Sequence, residues 1–261
     1  MNAPEPSRPL ADWTEANQRA LVAEFSRLKL LLGKPAVEPA PAEVRALATG
    51  MTTAIDSLTD LFGLSAFERD LLLLAAGAEM DSEIATLCAA AHGAAQRAWA
   101  SFGLAMAILP EPHWSALTPV RPLRRWQLLN VDETAGLTQG RIRIDERVLH
   151  HLAGSSFLDR RLQPLLTLVP EPTLMADSQR ILAGDIASTL AQGGSASLVQ
   201  ISGPDAHGRR DVAAEVATQL RMPLYAISSE EVPANASEIE ALATLWEREA
   251  SLQNALLLIE C

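Results

Sequence analysis

Gly203-Pro204-Asp205-Ala206-His207-Gly208-Arg209-Arg210 has the glycine spacing of a phosphate-binding loop, G-x-x-x-x-G-K-[ST]. In such a loop, backbone N–H groups wrap the phosphates, a Lys reaches the outer ones and a hydroxyl ligates magnesium. Here Arg209 stands at the Lys position and Arg210 at the hydroxyl position. Arg209 still offers positive charge and a planar fork of donors, though not a compact point charge. Arg210 has no oxygen for a metal, and two adjacent cations would repel one. Asp205 adds a carboxylate to the phosphate path. The chemistry expected of these eight residues is weak or vestigial ATP binding, without magnesium-assisted hydrolysis. Fourteen glycines in this chain give roughly one such pair by chance, so an ordinary strand-to-helix turn remains open as the alternative.

A phosphate loop needs a strand before it and a helix after it. Ser197 to Ser202 is a short apolar stretch that reads as a buried strand. After Gly208, Val212, Val216 and Leu220 share one helical face, with Ala213 and Ala217 beside them. Pro223 to Ser228 reads as a second strand. Ser237 with Glu240 predicts a capping box for a helix whose stripe is Ile239, Leu242, Leu245 and Trp246, with Glu249 facing away. Ala255 to Ile259 reads as a third strand, and it delivers Glu260 to the place of the strand-end acid (Walker B) that sits beside magnesium in phosphate-loop NTPases. A buried strand that stops at a surface carboxylate is the alternative reading. A sheet ending on its most apolar strand would be left with a bare edge. A fourth strand is therefore expected beyond Cys261, in a longer protein.

Composition narrows the classes. A net charge of −11 disfavours a general nucleic-acid binder. Two distant cysteines, Cys88 and Cys261, suit a reducing compartment, and none of the five histidines pairs with them at zinc spacing. The most apolar run, Leu71 to Ala78, is too short to cross a bilayer, and no signal peptide opens the chain. The expectation is a soluble cytoplasmic protein with no membrane partner and no metal.

In the N-terminal half, residues 1 to 10 read as disordered and Asp12 with Glu15 as a capping box. Leu21, Phe25, Leu28 and Leu32 form a helical stripe, either a docking helix or one packed on its own domain. Gly33 to Pro41 reads as a linker. Helices are expected over 42–62, 66–79 and 82–91, capped by Ser65 with Glu68 and by Asp81, with further segments to Ala107. Trp126 to Val131 and Gly140 to Ile144 predict two strands around a turn, followed by a helix from Glu146 to Ala153 that Asp145 caps and Gly154 stops. Helices followed by a β-hairpin outline a winged helix. Arg121, Arg124, Arg125, Arg141, Arg143 and Arg147 gather around that hairpin and could touch phosphates. The segment 82–100 is mostly small residues with little to read base edges, which favours a protein partner over DNA. Pro164 to Pro172 reads as a second linker. A helix over 173–190 follows, with Leu174, Ile181, Leu182, Ile186 and Leu190 as its stripe.

Four stretches, Leu64 to Gly77 (LSAFERDLLLLAAG), His113 to Leu117 (HWSAL), Pro122 to Trp126 (PLRRW) and Ile144 to Leu149 (IDERVL), resemble bacterial AAA-type ATPases with an N-terminal winged-helix domain, a kind associated with contractile injection systems. The resemblance implies a first ATPase domain that is degenerate and a second, downstream, that is active. Carried over by motif, Gly203, Gly208 and Arg209 match loop positions and Glu260 the strand-end acid, while Arg209, Arg210 and Glu260 depart from the active pattern. The implied organisation is a tail, helix and linker (1–41), an α-rich winged-helix domain (42–163), a linker (164–172) and the first half of a degenerate α/β nucleotide-binding domain (173–261). The implied role is partner docking and assembly in a homo-oligomer, hexameric in rings of this kind. A winged-helix DNA-binding regulator with an α/β sensing domain and a scaffold without nucleotide are the competing readings.

Overall fold

The computed structural model describes residues 8–33, 52–192 and 198–261. The chain divides into two compact units, one through Phe157 and one from Leu158. Of the segment 1–10 expected to be disordered, residues 1–7 lie outside the described residues, as does the expected linker from Lys34 onward, while residues 8–10 are helical and correct that expectation.

In the first unit, α1 (Arg8–Leu31) begins four residues before Asp12, so Asp12 and Glu15 lie inside the helix rather than capping it. Pro9 falls in the first turn, where the missing N–H costs nothing. Leu21, Phe25 and Leu28 are buried on their own domain, against α3 (Ala66–Met80) and α4 (Ser82–His92). Ion pairs flank that seam: Arg27 to Glu24 at 2.8 Å, Arg69 to Glu24 at 2.8 Å and Lys29 to Asp81 at 2.7 Å. Gly77 lets α4 approach, since a Cβ there would lie 2.7 Å from Ile84 Cδ1. The helix α2 (Ala54–Phe62) starts at its Thr53 cap; the earlier part of the expected helix, 42–51, is outside the described residues.

Helix α3 is the centre of this unit. Leu71 to Ala76 are all fully buried, so it has no solvent face over a turn and a half. Its start carries the expected capping box, Ser65 with Glu68, and Asp81 caps α4. Beyond them come α5 (Phe102–Ile108), a 3-10 turn at Trp114–Leu117 and α6 (Pro122–Arg125). The hairpin pairs β1 (Leu129–Val131) antiparallel with β2 (Ile142–Ile144), in register Leu129 to Ile144. The first strand is shorter than expected because Trp126 and Gln127 turn, Gln127 with φ 50°. Helix α7 (Glu146–Leu152) follows its Asp145 cap.

In the second unit, β3 (Thr167–Leu168) pairs antiparallel with β4 (Leu224–Ser228), which pairs parallel with β5 (Leu256–Glu260). The stretch 164–172 thus supplies a strand, and Leu162 and Leu166 enter the core with Tyr225 and Ile227. Helix α8 (Asp177–Gln192) begins later than expected and buries Ala183 and Ala187 with Ile186 and Leu190, while Leu174, Ile181 and Leu182 face solvent. Small residues bring it close to α9 (Ala206–Leu220), whose Val212 and Val216 meet them.

Three further expectations fail here. Leu198 to Ser202 form no strand, and Leu198 is 96% exposed; a strand needs a hydrogen-bonded neighbour, and among the described residues none runs beside it. Helix α10 (Ala236–Gln253) is capped by Asn235, not Ser237, because the Asn235 side chain accepts both the Ser237 N–H and its hydroxyl. Glu249 is fully buried rather than outward, since it lies at i+7 from Leu242 on the inward stripe.

Candidate functional site

The hairpin arginines are the first candidate. Arg121 donates from Nε and Nη2 to the Glu68 carboxylate at 3.0 and 2.9 Å. Glu68 is fully buried and also accepts the Ser65 N–H at 2.8 Å. Arg124 donates to Glu133 at 2.8 Å and to the Leu117 carbonyl at 3.2 Å. Arg141 donates to Glu79 at 2.7 Å. Arg147 is buried, with its guanidinium 5.1 Å from the Phe157 ring centroid. Arg125 and Arg143 are the exposed members, Arg125 lying over the Trp126 ring at 4.8 Å. Hydrogen bonds from Thr134 and the nearby Arg143 charge hold the exposed Asp132 carboxyl below its usual value. Each of Arg121, Arg124 and Arg141 already holds an acid, Arg121 at the start of α3 and Arg141 at its end.

Ser65 Oγ lies 2.8 Å from His113 Nε2, and His113 Nδ1 lies 3.0 Å from Ser115 Oγ. This network joins the starts of two of the quoted stretches, Leu64 to Gly77 and His113 to Leu117, and sequence reasoning missed it. The capping box was visible; the histidine 48 residues away gave no local signal. Beside it, Trp114 and Val120 are 59% and 78% exposed.

The loop is the second candidate. Helix α9 starts at Ala206, so only Gly203, Pro204 and Asp205 of the eight lie outside it. Asp205 is the N-cap and accepts the His207 N–H at 3.0 Å. A carboxylate therefore occupies the position where a helix start would draw an anion. Gly208 is buried in the first turn, where an added Cβ would lie 2.8 Å from both Asp205 Oδ2 and Gln179 Nε2. Gly203 has open space for a side chain. Neither glycine has a positive φ. The Arg209 guanidinium folds back to donate to the Gly203 carbonyl. Arg210 Nη1 reaches both oxygens of Glu260 at 2.9 Å, across 50 residues of chain. The structure thus brings Arg210 and Glu260 together directly.

Among the described residues no three of His, Cys, Asp and Glu converge as a metal site, and no helix is long and apolar enough to cross a membrane. A family model described as a winged helix domain, variant, matches residues 14–166. No curated protein and no solved structure matches the chain. The family match covers more than half of the sequence, and the chain belongs to this variant winged-helix family.

Proposed function

We propose that this winged-helix protein is a partner-docking and assembly region. Its first unit binds a protein, and its second is the opening portion of a degenerate AAA-type core that does not hydrolyse ATP by itself. One observation carries the docking reading: three of the six arginines of the hairpin region, Arg121, Arg124 and Arg141, are paired with the unit's own acids. Phosphates would have to displace Glu68, Glu133 and Glu79 from Arg121, Arg124 and Arg141. Residues 14–166 hold 17 Asp and Glu against 15 Lys and Arg, a net charge of −2, which leaves little long-range attraction for DNA. Trp114 and Val120, exposed beside the Ser65–His113 network, are the kind of apolar anchors that protein interfaces use.

Support for the AAA-type parent is the resemblance of the quoted stretches together with the order of loop frame, helix, β4, α10 and β5 ending at Glu260. In that setting the full-length protein is a homo-oligomeric ring, hexameric as is usual for AAA proteins, in which the downstream domain supplies hydrolysis and this region supplies contacts. A role with a contractile injection system belongs to the same proposal.

The test is anisotropy of a labelled duplex across a salt series, with a photo-crosslinker at position 114 in cells. Expected are only weak, salt-sensitive, sequence-blind DNA binding and a protein adduct at position 114. Arg143, exposed on the hairpin without an ion pair among the described residues, favours the second reading, a DNA-binding regulator. Sequence-selective binding that weakens in Arg143→Ala and Arg141→Ala would establish that reading instead.

A further inference from the structure

The residues of the loop frame do not fit a magnesium–nucleotide group. A metal beside Glu260 would need its oxygens, and Arg210 Nη1 lies 2.9 Å from both. A phosphate at the start of α9 would need the amide that the Asp205 carboxylate already accepts and would meet that carboxylate's negative charge. Arg209, at the position of the phosphate-reaching lysine, is turned back onto the Gly203 carbonyl. Of the amides at the start of α9, the His207 N–H goes to the Asp205 carboxylate and the Arg209 N–H to the Asp205 carbonyl, which interrupts the run of free N–H groups that would surround an anion.

We propose that the frame is closed by the chain's own charges. Arg210 stands in for the divalent cation and Asp205 for the phosphate. The Arg210–Glu260 pair, rather than a nucleotide, ties the first turn of α9 to the end of β5. The tie adds a polar link at the first turn of α9 and the end of β5 to the packing of Ala213, Ala214 and Ala217 with Leu256 and Leu258. Leu198 to Ser202, which lead into α9, form no ladder with the sheet and are anchored through Ile201 packing among α8, α9 and the β4–β5 face. β5 pairs with β4 on one edge only among the described residues. Glu260 is the last residue of that strand, and holding it fixes the free end. The unit is therefore set in one conformation whatever the nucleotide level, as suits a scaffold. The docking role of the first unit does not depend on this.

The experiment uses the whole chain, with thermal melting and calorimetric titration of ATP at millimolar concentration, with magnesium and with chelator. Arg210→Met and Glu260→Gln are compared with their double variant, and circular dichroism verifies that each folds. Expected is no ATP heat and no ATP-induced shift for the unaltered chain under either condition. Each single variant melts about 2–4 °C lower, as for a half-exposed pair, and the double variant falls no further than the worse single. Stabilisation of the unaltered chain by magnesium ATP, lost in Arg210→Met, would overturn the proposal in favour of a nucleotide site. Single variants that melt with the parent would overturn it in favour of an ordinary turn.

Discussion

Asp159→Asn tests what holds the second unit together. Asp159 is buried, and one carboxylate oxygen is shared by Arg248, itself fully buried, and by Arg161 at 2.6 Å. Its other oxygen accepts the Arg161 backbone N–H at 2.8 Å. Burial disfavours the charged Asp159 carboxyl, but the Arg161 hydrogen bonds and the Arg161 and Arg248 charges outweigh it and hold its pKa below the usual value. Asparagine keeps the shape and one acceptor but leaves the Arg248 guanidinium without that anion. Glu249, with Oε1 3.9 Å from Arg248 Nε, offsets part of the loss.

Removing one partner of a buried pair costs about 3–5 kcal/mol, and the asparagine acceptor and Glu249 place this case near 3. That corresponds to roughly 150-fold faster exchange of the amides that open with the unit, and to a melting point lower by about 12 °C or more. Hydrogen exchange by mass spectrometry reads it locally: peptides from β4, α10 and β5 should accelerate, while those from α3 stay unchanged. Replacing the pair together, Asp159→Leu with Arg248→Met, should recover most of the loss, because no charge is left stranded. A change under about 1 kcal/mol in Asp159→Asn would refute the reasoning, as would equal acceleration in both units.

Three further outcomes follow from the first unit. Burial and the neighbouring Arg147 charge push the His151 pKa down to about 4, so the unfolded chain takes its proton first, and stability falls by about 1.4 kcal/mol per pH unit between about 6.5 and 4. His92 is shifted the same way by burial, whereas the lowered carboxyls Glu24 and Asp81 lose their contributions only at more acid pH; urea melts of His151→Gln should therefore show a shallower slope above about pH 5. Arg121→Ala strands the fully buried Glu68 and should cost about 2–3 kcal/mol in urea melts, a loss that Arg121→Ala with Glu68→Gln reduces. Gly140→Ala places a Cβ 1.9 Å from the Asp132 carbonyl and should cost about 2 kcal/mol or more, read as loss of amide protection in β1 and β2.

What the sequence made legible is local. Ser65 with Glu68, Asp81 and Asp145 are readable as caps from residues within three positions, although the same signal misplaces the caps at Asp12 and Ser237. The strands β4 and β5 were readable from their apolar runs. Leu198 to Ser202 has a similar though less apolar pattern and forms no strand, because strand formation depends on a neighbour that pattern does not report. The pairs Arg121–Glu68, Arg141–Glu79 and Arg210–Glu260 span 50 residues or more, beyond the reach of any periodicity. Reading the same arginines as a basic patch followed from seeing them without their acids.

The two candidate sites share one physical logic. A winged-helix hairpin and a phosphate-loop frame are both motifs that meet polyanions when their cations are free. Here Arg121, Arg124 and Arg141 in the first unit and Arg210 in the second each hold a carboxylate of the same unit. An anion that displaced those carboxylates would leave them beside it as like charges, and for Glu68 the stranded group is fully buried. The exchange is therefore uphill before any new contact is counted, most steeply at Arg121. A protein partner does not need the exchange: it can bury Trp114 and Val120 and leave every internal pair in place. That difference in what must be broken first, more than the net charge alone, is what supports the proposal of a protein partner over nucleic acid.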